Sequence, residues 1–218
     1  MRILVVSPHP DDETLGAGGT LLRYKKEGNQ IFWLNITDMK ASDGWDEKVI
    51  KVRQNQIKAV NEYYQFDGFY NLEYPPTKLN YIEEGKIIGT IKRVFDDVKP
   101  EWLLIPGGYD VHSDHRVVHN CCIACSKTFR APYIKRITSM EIISETDYGL
   151  QGRFAPNLFI DISKELEDKL DAMGIYNTEI EDAPFPRSLD KIRALAEVRG
   201  GTILSKYAEA FYIVKQIQ

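Results

Sequence analysis

Four residues within five positions near the start of the chain have side chains suited to metal or acid–base chemistry. They are His9, Asp11, Asp12 and Glu13 in "SPHPDDETLGAGGT". A second group, Asp110, His112, Asp114 and His115, stands in "YDVHSDHR". Imidazole and carboxylate are zinc-binding side chains, and a catalytic zinc site takes three protein ligands while keeping one position open. His9 and Asp12, separated by two residues across a turn, can converge on one ion. A third ligand would come from the second group, where spacing alone does not choose between His112 and His115. Three of the four histidines of the chain fall in these two groups, and His119 is the fourth. Taken singly, either group could be a polar turn in which an aspartate caps a helix. Two histidines and a carboxylate also describe the facial triad of non-haem iron oxygenases, but those usually stand on β-scaffolds.

The glycines that follow invite comparison with the dinucleotide fingerprint G-x-G-x-x-G. Gly16 and Gly18 fit its first two positions, Leu21 occupies the third, and Asp38 could imitate the ribose-binding acid. In the fingerprint, however, glycines form the turn whose N–H groups reach a pyrophosphate. Here Pro8, His9, Pro10, Asp11, Asp12 and Glu13 fill that turn, and three carboxylates would repel the ligand. The glycines are therefore expected inside a helix, where they permit close packing.

The elements that must position these groups can be read from hydrophobic pattern. "RILVVSP", "QIFWLNIT", "FYNLEYP" and "EWLLIPG" are expected as four strands. Between and after them, "TLGAGGTLLRYKKEGN", "DEKVIKVRQNQIKAVNEYYQF", "YIEEGKIIGTIKRVFDDVKP" and "SDHRVVHNCCIACSKTF" are expected as helices. In the second helix Val49, Val52, Ile57, Val60 and Tyr64 could share a buried face. Further strands are expected at "KRITSMEIIS", "NLFIDIS" and "EAFYIVKQ", with helices at "KELEDKLDAMGIY" and "SLDKIRALAEVRGGTI". Alternating strands and helices imply βαβ units and a mainly parallel sheet covered on both faces. Ligands bind such sheets at the carboxyl ends of the strands. The first and fourth strands end in the two polar groups, which meet if those strands are neighbours.

The chain has 218 residues, 43% of them hydrophobic and 28% charged, and a net charge of −4, so it carries no electrostatic footprint for nucleic acid. The apolar run before the first polar group is too short for a signal peptide. No apolar stretch approaches the roughly 18 residues of a membrane span. Three cysteines, Cys121, Cys122 and Cys125, crowd one helical segment, where they read as small buried hydrophobes rather than a redox pair. The expectation is a cytoplasmic protein without stable membrane insertion.

"PHPDDETLGAGGT" together with "DVHSDHR" resembles the LmbE-like/PIG-L-like zinc-dependent deacetylases. "KVRQNQIKAVNEYY", "FAPNLFIDIS", "KLDAMGIY" and "KYAEAFYIV" are similar to further parts of that family's pattern, so the resemblance runs over nearly the whole chain. It implies a single domain over residues 1–218, with a Rossmann-like three-layer α/β core to about residue 130. A substrate-rim part over about 131–218 would complete it. The site would lie at the carboxyl ends of the first and fourth strands. It further implies one Zn2+ per chain on His9, Asp12 and His115, and hydrolysis of an N-acetyl group from an N-acetylglucosamine-type sugar or glycoconjugate. Another N-acyl group, or sugar binding without catalysis, are the alternatives.

In this reading Asp11 is the general base toward the attacking water. His112, if protonated, stabilises the oxyanion, and Asp114 orients His112 and keeps it charged. Arg53, Tyr109 and Asn157 are candidates for substrate binding. Gln56 stands where many relatives have Glu, which puts sugar contacts in question. Tyr148, Arg153, Phe154, Phe185 and Arg187 are possible rim residues without assigned roles. Assembly into a homo-oligomer, trimer or hexamer, is an expectation from the family alone.

Overall fold

The structure is a computed structural model that describes residues 1–149 and 152–218. Leu150 and Gln151, part of the expected rim stretch "DYGLQGRFAPN", lie outside the described residues.

The first strand shows how sequence dictates layers. In β1 (Arg2–Ser7), successive side chains point to opposite faces. Ile3 and Val5 enter one apolar cluster, and Leu4 and Val6 enter the other. All four are fully buried. A strand apolar on both faces must lie inside a sheet covered on both sides. It does: β1 pairs in parallel with β2 (Gln30–Thr37) on one edge and with β4 (Trp102–Ile105) on the other, Val5 matching Trp33 and Leu104. The remaining strands are β3 (Gly68–Tyr74), β5 (Arg136–Met140), β6 (Leu158–Asp161) and β7 (Ala208–Gln216). The sheet order is β3-β2-β1-β4-β5-β7-β6. The five strands from β3 to β5 are parallel, whereas β7 runs antiparallel to both β5 and β6. Chain direction across the sheet reverses between β1 and β4. That is a topological switch point, where the carboxyl ends of the strands leave a crevice.

Helices cover both faces. α1 (Asp12–Lys26), α2 (Glu47–Tyr64), α5 (Leu166–Ile175) and α6 (Leu189–Gly201) pack on the Ile3/Val5 side. α3 (Glu84–Val98) and α4 (Ser113–Cys125) pack on the Leu4/Val6 side. Lys99 takes a left-handed φ of 49° after α3, and Pro100 follows, so the helix cannot continue. The three cysteines are free and buried in α4, the hydrophobe role expected of them. Among the described residues no helix is long and apolar enough to cross a membrane.

The glycines of α1 are packing positions. A Cβ at Gly19 would fall 2.8 Å from the Ile162 side chain, and one at Gly16 would fall 2.9 Å from Met140 Cβ. α1 also receives a buried ion pair. Lys169 Nζ donates to Leu15 C=O at 2.8 Å and to Glu209 at 2.6 Å. Glu209 in turn accepts from the N–H groups of Gly19 and Thr20 at 2.9 and 2.7 Å. The glycine-rich turns of the helix are thereby fastened to α5 and β7.

The buried face of α2 differs from the expected one. Val49 and Val52 are 45% and 43% exposed, while Arg53 and Gln56 are buried beside Ile57, Val60 and Tyr64. The first half of this helix faces the polar segment after α5 rather than an apolar layer. Gln56 Nε2 donates to Asn177 Oδ1 at 3.0 Å, and Arg53 is ion-paired with Glu179. Gln56 thus holds a neighbouring chain segment. The part of the chain beyond residue 130 supplies three strands to the common sheet as well as loops at the crevice.

Candidate active site

At the carboxyl ends of β1 and β4 the two polar groups meet. The tight turn after β1 brings His9 and Asp12 together: His9 N–H donates to Asp12 Oδ2 at 2.8 Å, and His9 Nδ1 lies 3.3 Å from the same oxygen. His115, in the first turn of α4, places Nε2 3.3 Å from Asp12 Oδ2. Donor atoms of His9, Asp12 and His115 lie within 4.8 Å of one another, and so do those of His9, His112 and Asp114.

Hydrogen bonding distinguishes the two sets. Asp114 is spent elsewhere: it accepts from Thr77 N at 2.6 Å, Leu79 N at 3.2 Å and His9 Nε2 at 3.1 Å. His112 Nδ1 accepts from Asp114 N at 3.1 Å. His115, by contrast, donates through Nδ1 to Asp110 Oδ2 at 2.9 Å, and its buried Nε2 has no hydrogen-bond partner among the described residues. A buried polar atom without a partner calls for an explanation. An imidazole fixed by a carboxylate on one nitrogen and open on the other is a common metal-ligand arrangement. The donor set of two imidazoles and one carboxylate suits zinc. His9, Asp12 and His115 therefore fit a metal on a feature of this chain itself.

Asp110 is 1% exposed and is further held by Gly107 N at 3.0 Å and Thr146 Oγ1 at 2.9 Å. Sequence reasoning noticed Asp110 in the polar group but gave it no role. The orienting role expected of Asp114 toward His112 is corrected: the Asp114 carboxylate reaches His9 and the loop after β3, and only its N–H meets His112. The reason is local. His112 is the N-cap of α4, and its ring accepts the helix N–H that an aspartate would otherwise have capped.

Electrostatics follow from burial and these contacts. Burial pushes the His9 ring down, but Asp114 and Asp12 outweigh it and raise its pKa to about 9. Burial acts likewise on His115, and Asp12 and Asp110 raise it to about 10. Asp12 pays for burial yet is held well below the usual carboxylate range by His115 and His9. His112 goes the other way: burial and the neighbouring His9 and His115 push it down to about 4. At that value the ring is neutral near pH 7 in the metal-free protein. Because Nδ1 accepts a hydrogen bond, the ring proton sits on Nε2.

Asp11 differs from its neighbour in backbone conformation and in electrostatics. It occupies the N-cap position of α1 but makes no capping bond, and its backbone sits at φ 136°, ψ −28°. A non-glycine residue there is strained, and such strain gathers at functional sites. Its N–H donates to the buried Glu13 at 3.2 Å. Its carboxyl is raised well above the ordinary value by burial and by the Asp12 and Glu179 carboxylates, against the opposing pull of Arg187 and Arg53.

His9, Asp11, Asp12 and His112 line a cleft of about 210 Å³ together with Asp38, Trp45, Arg53, Glu145, Glu179 and Arg187. Arg53 Nη1 donates to Pro10 C=O at 3.0 Å. Of the expected substrate residues, Arg53 alone is in the cleft. Tyr109 is 66% exposed and lines a separate cavity of about 520 Å³ with His119, Arg153 and Phe154. Asn157 accepts from Ile213 N at 2.7 Å, a bond from the residue before β6 across to β7. Among the possible rim residues, Arg187 reaches the cleft over the ring of Phe185, its Cζ 5.4 Å from the ring centre. Glu145 and Glu179 were given no role from the sequence: Glu179 falls in the rim stretch "EIEDAPFPRSLDK" beside Glu181 and Asp182, Glu145 lies between Glu141 and Asp147, and neither has a spacing signal that singles it out.

Comparison with known proteins bears on the family and the fold. Residues 4–126 match the family described as PIG-L, GlcNAc-PI de-N-acetylase. A diacetylchitobiose deacetylase from Thermococcus kodakarensis is 26% identical over 226 residues, covering 99% of this chain and 84% of that protein. A structure of N,N'-diacetylchitobiose deacetylase from Pyrococcus horikoshii superposes with a TM-score of 0.78 at 21% identity, covering 98% of this chain and 84% of the other. The 4-carboxy-2-hydroxymuconate hydratase of Pseudomonas putida superposes with a TM-score of 0.75 at 17% identity, covering 100% and 97%. One fold thus carries more than one reaction, and activity has to be argued from the site. With more than half its length matched by the family model and both polar groups assembled at one crevice, the chain belongs to the PIG-L, GlcNAc-PI de-N-acetylase, family.

Proposed function

We propose that the protein is a zinc-dependent hydrolase that removes the N-acetyl group from an N-acetylglucosamine-type sugar, releasing acetate and a free amine. The observation that carries the reading is the pairing of the His9, Asp12 and His115 triad with a strained carboxyl, Asp11, that takes no part in it. The relatives named as diacetylchitobiose deacetylases support the substrate class.

Zinc on the triad would supply Lewis acidity, lowering the pKa of water and polarising the acyl oxygen. Asp11 accepts the proton of the attacking water. Its raised pKa suits a group that takes a proton and then returns it to the departing amine. His112 donates Nε2–H to the oxyanion, a role that needs a fixed donor rather than a charge. Asp110 holds His115 in one tautomer, and Asp114 ties His9 to the loop carrying Thr77 and Leu79. Arg53 stands at the substrate side of the cleft. The protein is expected to meet its sugar substrate without membrane insertion.

The test is acetate release from a panel of free, glycosidic and nucleotide-linked N-acetyl-hexosamines by zinc-loaded and chelator-treated protein. Release by the loaded form, lost on chelation and restored by zinc, is the expected result. No acetate from any member of the panel overturns the reading.

A further inference from the structure

The cleft contains two arginines, and both are engaged by one carboxylate. Arg53 Nη2 is ion-paired with Glu179 Oε1, and Arg187 Nη2 lies 3.5 Å from Glu179 Oε2. Arg187 Nε also donates to the Glu179 C=O at 3.2 Å. Glu179 is fixed from behind, because Gln56 holds Asn177 and Thr178 at 3.0 and 3.1 Å. The other charged groups facing the cleft beyond the triad are carboxylates: Asp11, Asp38 and Glu145. Asp38 accepts from Asn71 at 2.8 Å and from Met39 N at 2.8 Å, and no cation pairs with it among the described residues. Glu145 keeps one buried carboxylate oxygen without a hydrogen-bond partner among the described residues.

An arginine whose guanidinium is already matched to a carboxylate offers little to a phosphate or carboxylate ligand, and unmatched carboxylates nearby repel one. Like-charge juxtaposition across an interface is unfavourable, so charge is an effective way to reject a partner. A neutral sugar meets no such cost. Its hydroxyls can donate to Glu179, Asp38 and Glu145 and accept from the free edges of the guanidinium groups.

We propose that Glu179, by occupying Arg53 and Arg187 together, sets the charge class of the substrate: the cleft takes uncharged N-acetylated saccharides and rejects those bearing a phosphate or carboxylate. This rests on the deacetylase reading and names which of its substrates the site accepts. Glu179 is a specificity-determining residue here.

The experiment compares kcat/KM for acetate release from N,N'-diacetylchitobiose with that from UDP-N-acetylglucosamine and N-acetylglucosamine 6-phosphate, using zinc-loaded protein. The wild type is expected to favour the neutral sugar by about 100-fold or more. Glu179→Gln frees both arginines and is expected to raise the anionic-to-neutral ratio by about 10-fold or more, through KM. Adding Arg187→Gln to that variant is expected to bring the ratio back down. Equal wild-type rates on both classes, or a ratio unmoved by Glu179→Gln, overturn the proposal while leaving deacetylation intact. No acetate from any sugar overturns the deacetylase reading itself. A further measurement needs no variant to fold. N-acetylglucosamine 6-phosphate should inhibit wild-type hydrolysis of diacetylchitobiose at least about 10-fold more weakly than N-acetylglucosamine does, and equal inhibition counts against the proposal.

Discussion

Asp11 and Asp12 are adjacent, identical in type and opposite in environment. Asp12 accepts from the His9 N–H and faces two imidazoles, which favour its charge. Asp11 is buried next to other carboxylates, which disfavour its own. The proposed division of labour follows from that contrast: Asp12 would hold the ion and Asp11 would handle the proton. Asp11→Asn should retain metal and lose about 10²- to 10⁴-fold in turnover. Wild-type turnover with bound metal would remove Asp11 from the mechanism. His115→Ala deletes the ligand that Asp110 orients and should abolish metal retention. A full equivalent of zinc in that variant by elemental analysis would move the third ligand to His112. The two histidines were indistinguishable by spacing. What separates them is the tautomer: His112 accepts at Nδ1 from the Asp114 N–H and so carries its proton on Nε2, whereas His115 donates through Nδ1 to Asp110 and keeps its lone pair on Nε2, which only three-dimensional structure displays.

At the scale of elements, α1 joins chemistry to architecture. Its first turn carries the metal-binding turn, its glycines lie against Ile162 and Met140, and Lys169 and Glu209 engage its backbone. Lys169 and Glu209 are 4% and 5% exposed. Lys169→Met would leave the Glu209 charge buried with backbone N–H groups alone, and should cost about 3–5 kcal/mol of stability in urea unfolding. A second change, Glu209→Gln, should recover part of that loss.

The strands were legible because Ile3–Val6, Ile31–Leu34 and Leu103–Ile105 are apolar runs bounded by turns. The helix stops were legible at Gly28 and Pro100 for the same local reasons. The expected α2 face was wrong at Val49 and Val52. Hydrophobic periodicity assumes an apolar neighbour, whereas this helix meets Asn177, Thr178 and Glu179. The adjacency of β1 and β4 was a condition in the sequence reading rather than a result. Strand order depends on crossover geometry, which residue pattern alone leaves open. Glu145, Glu179 and Asp110 share that limit: each matters through a partner distant in the chain or through an empty space beside it.

For the molecule as a whole, the titrating groups act together. His9 and His115 have folded-state pKa values of about 9 and 10, above their ordinary 6.5. The stability they contribute to metal-free protein is full below about pH 6.5 and is lost as pH rises through 9 to 10. Glu13, raised by burial from 4.5 to about 7, contributes in the same direction over a lower range. Zinc requires both rings neutral, so its binding releases protons and strengthens with pH. The Tm of chelated protein should therefore fall between pH 6.5 and 10, and the gain from added zinc should widen over that interval. A gain that stays constant with pH would contradict this coupling.

The backbone of Asp11 has a consequence for how the protein could change over generations. At φ 136° glycine would sit without strain, and it would also remove a carboxyl crowded by Asp12 and Glu179. Asp11→Gly should be more heat-stable than the wild type, by about 1 kcal/mol after the extra chain entropy of glycine is set against the relieved strain. Asp11→Asn, which relieves the charge and keeps the strain, should gain less. A thermal melt of the three proteins checks the order. Selection for endurance alone would then favour glycine at this position, at the cost of the proton acceptor proposed for the site.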